Sequence, residues 1–313
     1  MSQGFIAFAA SYGVEIKRLD DSGKIKRCGT TEHPHSSNGA YLFDGRSGWV
    51  WAWDGEGRAI GYNDPDAKPL TPEDRARLDA KRQVYRDERA QLQRTAAEWG
   101  ARMLSLAKPG EHGYLQRKGL KTVPGLVLPD GELFIPMRDV TTNALLGGQI
   151  VQWLPEERRW EKKYLYGMRT KGAVLRLGAR HTAETVLCEG YATGLSLEAA
   201  VRQMKLNAAV LVCFSDHGLK VAAERTTGRR YVIADNDPIQ TDLAKAKQNP
   251  GEQGQRAAAA TGLGWAMPEV VGEDANDLHV RAGLMALCAL VMRARAADAV
   301  NPWAEPAEAL AVP

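Results

Sequence analysis

The sequence contains no long hydrophobic run. Hydrophobic residues make up 44% of the 313 residues, but no run approaches the roughly 18 apolar residues that indicate a membrane-spanning helix. The first residues, MSQGFIAFAASYG, also lack the basic segment and the cleavage site of a secretory signal peptide. We therefore expect a cytoplasmic protein that has no membrane partner.

Cysteine is scarce, and the four cysteines lie far apart in the sequence. They are Cys28, Cys188, Cys213 and Cys288. This spacing is typical of reduced thiols in a cytoplasm and does not suit a disulfide framework. Cys28 lies near His33 and His35, but a structural zinc site normally has four closely spaced ligands. We therefore expect no structural zinc.

Neither sign of charge is in large excess, since the formal net charge is only +3. A nucleic-acid partner must therefore be judged from local clusters. Residues 156–180 form one such cluster, with eight Lys or Arg, three Glu, and the aromatic residues Trp160, Tyr164 and Tyr166. This composition suits a groove that follows phosphates, but it also suits a solvated sheet edge. The motif GxxxxGK[ST] of a helicase motor is absent.

The pattern of apolar runs and turns predicts five segments. They are a small α+β module that is a candidate template binder (1–64), a helical linker (65–107), a basic α+β subdomain (108–180), an α/β domain with a C-terminal helix (181–297) and a disordered tail (298–313). In the fourth segment, strands alternate with helices. This alternation predicts a parallel sheet with helices on both faces.

Three tryptophans alternate along a strand of the first segment. Trp49, Trp51 and Trp53 should share one face of that strand. One interpretation is a platform on which unpaired bases stack. The other is that the rings cover the helix at residues 4–11 and form the core. We favour the second, because so small a module needs bulky residues to bury any surface.

Acidic residues stand at three element ends of the α/β domain. Glu189 follows an apolar strand at 185–188, Asp235 and Asp237 follow a second strand, and Asp274 precedes the last helix. Several carboxylates held together oppose one another's ionisation unless a cation is present. Mg²⁺ prefers such oxygen ligands. The pattern therefore predicts a Mg²⁺ (or Mn²⁺) site whose candidate ligands are Glu189, Asp235, Asp237 and Asp274. The first three are also the candidate catalytic residues. Asp274 with Asp277 also suits a helix cap.

Three motifs carry a family resemblance: EGYATG from Glu189, ADND from Ala234 and PEVVGEDANDL from Pro268. In this order and spacing they resemble the Toprim domain of bacterial replicative primases, topoisomerases and some nucleases. The resemblance implies an α/β Toprim fold, a general acid/base role for Glu189, and magnesium binding by Asp235 and Asp237.

The preceding block sharpens the resemblance. ELFIPMRDV, LLGGQIVQWL and KKYLYGMRTKG are similar to the primase-core subdomain ahead of Toprim in DnaG-type primases, especially those that bacteriophages and plasmids encode. The resemblance implies that positive residues of this block contact template or NTP, and the best candidates are Arg138, Lys163 and Lys171. Tyr164 and Arg169, from the basic and aromatic cluster, are further candidates for template or NTP binding.

The chain departs from the DnaG pattern at three positions. Thr193 stands where these primases usually have an acid, and Asn276 stands where they have Asp. The glycine that usually follows Asp-x-Asp closely appears only as Gly254, which indicates an inserted polar loop. The first two departures reduce the negative charge available for a second metal ion.

The leading hypothesis is a DNA primase acting in the cytoplasm of a bacterial host cell. It would be a DNA-directed RNA polymerase that synthesises short RNA primers from NTPs on single-stranded DNA by Mg²⁺-dependent nucleotidyl transfer. A separate replicative helicase is an expected partner. The alternatives are a Toprim nuclease that uses the same acids, and a catalytically weakened nucleic-acid-binding accessory protein of replication.

Overall fold

The computed structural model describes residues 2–52, 58–65, 71–241 and 251–299. Trp53 and the predicted disordered tail from residue 300 onward lie outside the described residues. The chain forms two compact units, of which the first extends to Gln91 and the second begins at Leu92. Among the described residues, no helix combines the length and apolar character needed to span a membrane.

The first unit contains a helix and a five-stranded antiparallel sheet. The helix is α1 (Ser2–Ser11), and the strands, which neighbour one another in chain order, are β1 (Val14–Glu15), β2 (Lys26–Thr30), β3 (Gly39–Phe43), β4 (Ser47–Ala52) and β5 (Ile60–Asn63). The predicted α+β character of this module is confirmed. Its core forms where α1 covers the sheet, and the rings of Phe5 and Phe43 stack with centroids 4.4 Å apart.

The interpretation of the tryptophans as the core of this module is wrong. Val50 is the fully buried residue of β4 and packs in the cluster that contains Phe5. Trp49 and Trp51 flank Val50 and are only partly buried, so they occupy the opposite face of the strand. The guanidinium of Arg27 lies 5.6 Å from the centre of the Trp51 ring. A role for these rings in base stacking stays a prediction.

A long helix, α2 (Pro72–Leu106), begins in the first unit. Thr71 caps the helix, since its Oγ1 accepts a hydrogen bond from the Asp74 amide at 3.1 Å and donates one to the Asp74 carboxylate at 2.8 Å. Most of its surface is exposed. In its second half, Gly100 packs against the backbone of Gly147, so closely that a Cβ atom would lie 2.8 Å from Gly147 Cα.

The second unit begins with an antiparallel block. Its elements are β6 (Lys108–Gly110), α3 (Gly113–Arg117), β7 (Gly125–Val127), β8 (Leu133–Asp139), β9 (Leu145–Leu154), β10 (Arg159–Tyr164) and β11 (Ala173–Leu177). Hairpins form around Asp130-Gly131 and Thr142-Asn143, because β8 pairs antiparallel with both β7 and β9. The glycine in the first turn has φ of 90°, a conformation that glycine adopts readily.

An alternating α/β segment follows, as predicted. Its elements are β12 (Glu184–Cys188), α4 (Tyr191–Gln203), β13 (Ala208–Val212), α5 (Asp216–Arg225), β14 (Arg229–Ile233), α6 (Gln253–Ala259), β15 (Gly264–Ala266) and α7 (Ala275–Ala299). Strands β13, β12, β14 and β15 are mutually parallel. The last helix is interrupted at Gly283, which has φ of 83°.

Both blocks share one ten-stranded mixed sheet, with the order β10-β9-β8-β11-β13-β12-β14-β15 and with β6 and β7 branching from β8. Strand β11 joins the two blocks because it pairs antiparallel with β8 on one side and with β13 on the other. The sequence predicted the two blocks but not their union. The basic strands therefore belong to the same sheet as the parallel strands.

Helices cover both faces of the parallel strands, as the alternating pattern predicted. Val186 and Cys188 face α4 and α7, whereas Leu187 between them faces α5 and α6. Because every residue of β12 is buried, the strand reads as a continuous apolar run apart from its first two residues. The carboxyl ends of these strands are the edge at which the acidic residues emerge.

Candidate active site at the carboxyl ends of the parallel strands

Glu189 is the first residue after β12, in the turn that leads into α4. The pairing of β12 with β13 continues beyond the ends of both strands, since the Phe214 amide donates to the Glu189 carbonyl at 3.0 Å. Burial, followed by the charge and hydrogen bonding of Asp216, raises the pKa of Glu189 to about 8, and Asp235 and Asp237 add to this effect. The predicted general acid/base residue is thus poised to gain or lose a proton near neutral pH.

Asp216 is a residue that the sequence analysis missed. It opens α5, whose cap is Ser215, with Ser215 Oγ accepting from the Gly218 amide at 3.0 Å. Its carboxyl group lies within hydrogen-bonding reach of that of Glu189. A signal was present, because Asp216 follows an apolar strand as Glu189 and Asp235 do. The tight turn before it, in which Phe214 has φ of 63°, brings it back to the strand end.

Asp235 lies just after β14 and carries an unsatisfied oxygen. Its Oδ1 atom is buried and has no hydrogen-bond partner among the described residues, although buried carboxylate oxygens are normally paired. Burial and the charges of Asp274 and Asp237 raise the pKa of Asp235 to about 7, against the opposing effect of Lys118. The side chain is therefore held at a position where a positive charge would stabilise its ionised form.

The residue between the two aspartates anchors the loop. Asn236 Nδ2 donates to the Pro268 carbonyl at 2.9 Å, and its Oδ1 accepts from Gln255 at 3.2 Å. Asp237 uses one oxygen, Oδ2, to accept from the Gly254 amide at 2.8 Å. These contacts fix the loop against α6 and keep both aspartates close enough to Glu189 to raise its pKa.

Asp274 caps helix α7. Its Oδ1 accepts from the Asp277 amide at 2.8 Å, and Asp277 Oδ2 accepts from the Asp274 amide at 3.1 Å. The capping interpretation is confirmed. Lys118, a second residue that the sequence analysis missed, lies 3.4 Å from Asp274 and 3.7 Å from Asp277. Both oxygens of Asp274 thus have protein partners, and its role as a metal ligand stays a prediction.

Two of the three departures from the DnaG pattern, Thr193 and Asn276, are buried packing positions. Thr193 is 1% exposed and Asn276 is fully buried. Asn276 Nδ2 donates to the Lys118 carbonyl and to Ser196 Oγ, both at 3.0 Å. Asn276 therefore connects α3, α4 and α7, and its amide hydrogens make bonds that a carboxylate could not make.

Of the predicted template residues, Tyr164 lies beside the carboxylates. Its hydroxyl donates to the Phe214 carbonyl at 3.2 Å, and burial together with the charge of Glu189 raises its pKa. The others have different surroundings. Arg138 donates to the Asn143 carbonyl at 3.1 Å, Lys163 pairs with Glu161 at 2.7 Å, Arg169 pairs with the buried Asp139, and Lys171 is exposed.

The donor chemistry of this edge fits a hard cation. Carboxylate oxygens are the ligands that Mg²⁺ prefers, and Asp235 Oδ1 is buried without a partner. Within the described ranges, however, no three His, Cys, Asp or Glu side chains are already grouped at metal-binding distances. The structure places Glu189, Asp235 and Asp237 at one edge without assembling a finished ligand set.

A comparison with known protein families found a match that includes this edge of the sheet. Residues 184–284 match the family described as the Toprim domain. The chain therefore contains a Toprim domain, the Mg²⁺-binding module of primases, topoisomerases and some nucleases. The match begins at β12 and ends within α7, so it includes all four predicted metal-binding acids. A search of curated proteins found no match to this chain.

Proposed function

We propose that this protein is a primase that joins NTPs into short RNA primers on a single-stranded DNA template. The observation that carries the proposal is a chain of contacts from the basic block to the acidic edge. Tyr164 ends the basic strand β10 and donates to the Phe214 carbonyl, and the Phe214 amide donates to the Glu189 carbonyl. An aromatic and basic surface thus adjoins a proton-transfer carboxyl group within one sheet.

Glu189 is the proton-transfer residue in this proposal. Primer extension requires removal of a proton from the attacking 3′-hydroxyl, and a buried carboxyl with a pKa of about 8 exchanges protons at the pH of a cell. Asp216 maintains that pKa because its negative charge disfavours ionisation of Glu189. Tyr164 holds the Phe214 backbone through a hydrogen bond, and Phe214 in turn fixes the position of Glu189.

Asp235 and Asp237 would hold Mg²⁺ or Mn²⁺, and the bound cation would supply positive charge for the phosphates of the NTP. The described oxygens suit this role because one of them, Asp235 Oδ1, is buried and unpartnered. Lys163, Arg169 and Lys171 would contact the phosphates of template or NTP. Of these, Lys171 is exposed and has no ion pair with any described residue. The same proposal includes a separate replicative helicase as a partner of this protein. It also includes a bacteriophage or plasmid as the origin of the sequence.

The test is primer synthesis by the full chain. Purified protein is incubated with single-stranded DNA of mixed sequence, labelled NTPs and Mg²⁺ or Mn²⁺, and the products are separated on a denaturing gel. We expect short RNAs from the wild type and none from Glu189→Gln or Asp235→Asn. An absence of RNA with both metals and on several templates would contradict the proposal.

A Toprim nuclease is the second candidate. The carboxyl pair of Glu189 and Asp216 favours it, because such a pair is also suited to deprotonating a water molecule. The same incubation without NTPs distinguishes the two activities: cleavage of the DNA without NTPs would make the nuclease the better assignment. A non-catalytic accessory protein would instead keep both DNA binding and biological effect in the Asp235→Ala variant.

A further inference from the structure

A second charged site lies at the opposite ends of the parallel strands. A cavity of about 520 Å³ opens there, and it is lined by Asn207, which precedes β13, and by Thr227, which precedes β14. Strands of five residues separate it from the carboxylate edge, which corresponds to roughly 15 Å at a rise of about 3.3 Å per residue. The cavity therefore belongs to a different region of the domain.

Three arginines from three elements converge on this cavity. Arg176 comes from β11, Arg180 from the loop after it, and Arg225 from the last turn of α5. Gly172 makes room for the last of these, since a Cβ atom there would lie 2.9 Å from Arg225 Nη1. His181 completes the basic lining, and none of the described residues that line the cavity is acidic.

None of these three arginines has an acidic partner among the described residues. Arginines that do have such partners are Arg169 with Asp139, Arg202 with Glu198, Arg281 with Glu273, Arg293 with Glu269, and Arg295 with Glu184. Burial and the neighbouring charge of Arg180 lower the pKa of Arg176. Arg176 is partly buried, whereas Arg180 and Arg225 are exposed, and their like charges repel one another unless an anion lies between them.

We propose that this cavity is a phosphate-binding site that takes the phosphates of a nucleotide or of a nucleic-acid strand. Arginine is suited to this ligand because its planar donors match two phosphate oxygens at once. A concave site with three converging arginines also suits a multiply charged phosphate better than a single carboxylate. Because the site lies away from Glu189 and Asp235, it does not depend on the proposed primase activity.

The experiment measures binding to the full-length protein in EDTA, so that no divalent cation can recruit nucleotides to the carboxylate edge. Pyrophosphate and ATP are titrated by calorimetry, and a fluorescent oligo-dT strand is titrated by anisotropy at two salt concentrations. The variant is the triple change Arg176→Gln, Arg180→Gln and Arg225→Gln. If the triple variant does not fold, the single variant Arg180→Gln replaces it in the experiment, because Arg180 lies in an exposed loop.

Arg293→Gln is the matched control, because it removes a positive charge that Glu269 already neutralises at 2.6 Å. We expect the triple variant to bind at least about tenfold more weakly and the control to stay within about twofold of the wild type. Loss of ATP and pyrophosphate binding identifies a nucleotide site, and loss of oligo-dT binding alone identifies a strand site. If the wild type binds none of the three probes, or if variant and control bind equally, the proposal is wrong.

Discussion

A Cβ atom at Gly254 would lie 2.6 Å from the carbonyl oxygen of Asp235 and 3.0 Å from its amide nitrogen. The first residues of α6 thus pack directly against the backbone of Asp235. The Gly254 amide also donates to Asp237 Oδ2. Gly254 stands 19 residues after Asp235 in the sequence, and its contact with that residue explains why a glycine is needed there.

Gly254→Ala should destabilise the protein and displace Asp235. A methyl group at this position cannot be accommodated without a backbone shift, and overpacking of this kind costs about 1–3 kcal/mol. Thermal unfolding measures the first effect. A weaker increase in Tm on addition of Mg²⁺ measures the second.

Gly61→Ala is the control for that variant, because a Cβ atom placed at Gly61 would have no described atom within 4 Å apart from those of its chain neighbours. Its free energy of unfolding should change by less than about 0.5 kcal/mol. Equal stabilities of the two variants would show that the contact between Gly254 and Asp235 is not tight.

Asp216→Asn should lower the pKa of Glu189. After burial, the charge and hydrogen bonding of Asp216 are the largest causes of the raised value, so removing that charge moves the pKa towards its ordinary range. If Glu189 exchanges the proton of the reaction, the limb that reports its pKa in a plot of kcat/KM against pH shifts to lower pH. Glu224→Gln removes an exposed charge from the same helix and should leave the profile unchanged, and identical profiles for both variants would contradict the coupling.

Asp235→Asn should stabilise the protein in the absence of divalent cations. The pKa of Asp235 is raised from 3.8 to about 7 in the folded state, so the folded protein holds a proton that the unfolded chain releases. Stability therefore falls as pH rises from about 4 to 7, and the Asn variant avoids this loss. At pH 8 we expect a gain of at least about 1 kcal/mol, which raises Tm by about 2–4 °C.

Addition of Mg²⁺ should make the wild type more stable than the Asp235→Asn variant, which is the reverse of their order without divalent cations. The wild type should gain stability because a cation favours its ionised carboxylate, whereas the Asn variant should gain little. Asp21→Asn, which changes an exposed acid in the other unit, should follow the wild type in both conditions. Equal responses of Asp235→Asn and wild type to Mg²⁺ would contradict a cation at this residue.

Glu184→Gln should destabilise the domain at neutral pH. Arg295 donates to both oxygens of Glu184, at 2.9 Å and 2.7 Å, and Tyr231 donates at 3.2 Å. Hydrogen bonds to Arg295 hold the pKa of Glu184 below its ordinary value. Since the folded pKa is depressed, this stabilisation is complete above the unfolded value near 4.5 and is lost as pH falls through the folded pKa.

We expect the loss at pH 7 to be about 1–3 kcal/mol, because charged hydrogen bonds to a buried carboxylate are broken. The difference from wild type should shrink as the pH falls below about 4, which urea unfolding at several pH values would measure. Glu198→Gln breaks the i,i+4 pair with the exposed Arg202 and should cost no more than about 0.5 kcal/mol.

Local chemistry explains which parts of this protein could be predicted from residues alone. Apolar runs that alternate with helical segments predicted β12 and its parallel neighbours. Glu189 and Asp235 were recognised because each directly follows such a run and occurs in a short motif. Each of these features depends on neighbours a few positions away in the chain.

Other features depended on contacts between distant residues. Whether Val50 or Trp49 faced the core depended on the register of a whole sheet, because adjacent residues of a strand point to opposite faces. Lys118 reaches Asp274 across 156 positions, and Asp216 reaches Glu189 only after a tight turn. Sequence spacing thus predicted which carboxylates end strands, whereas chain packing determined which charges surround them and therefore their pKa values.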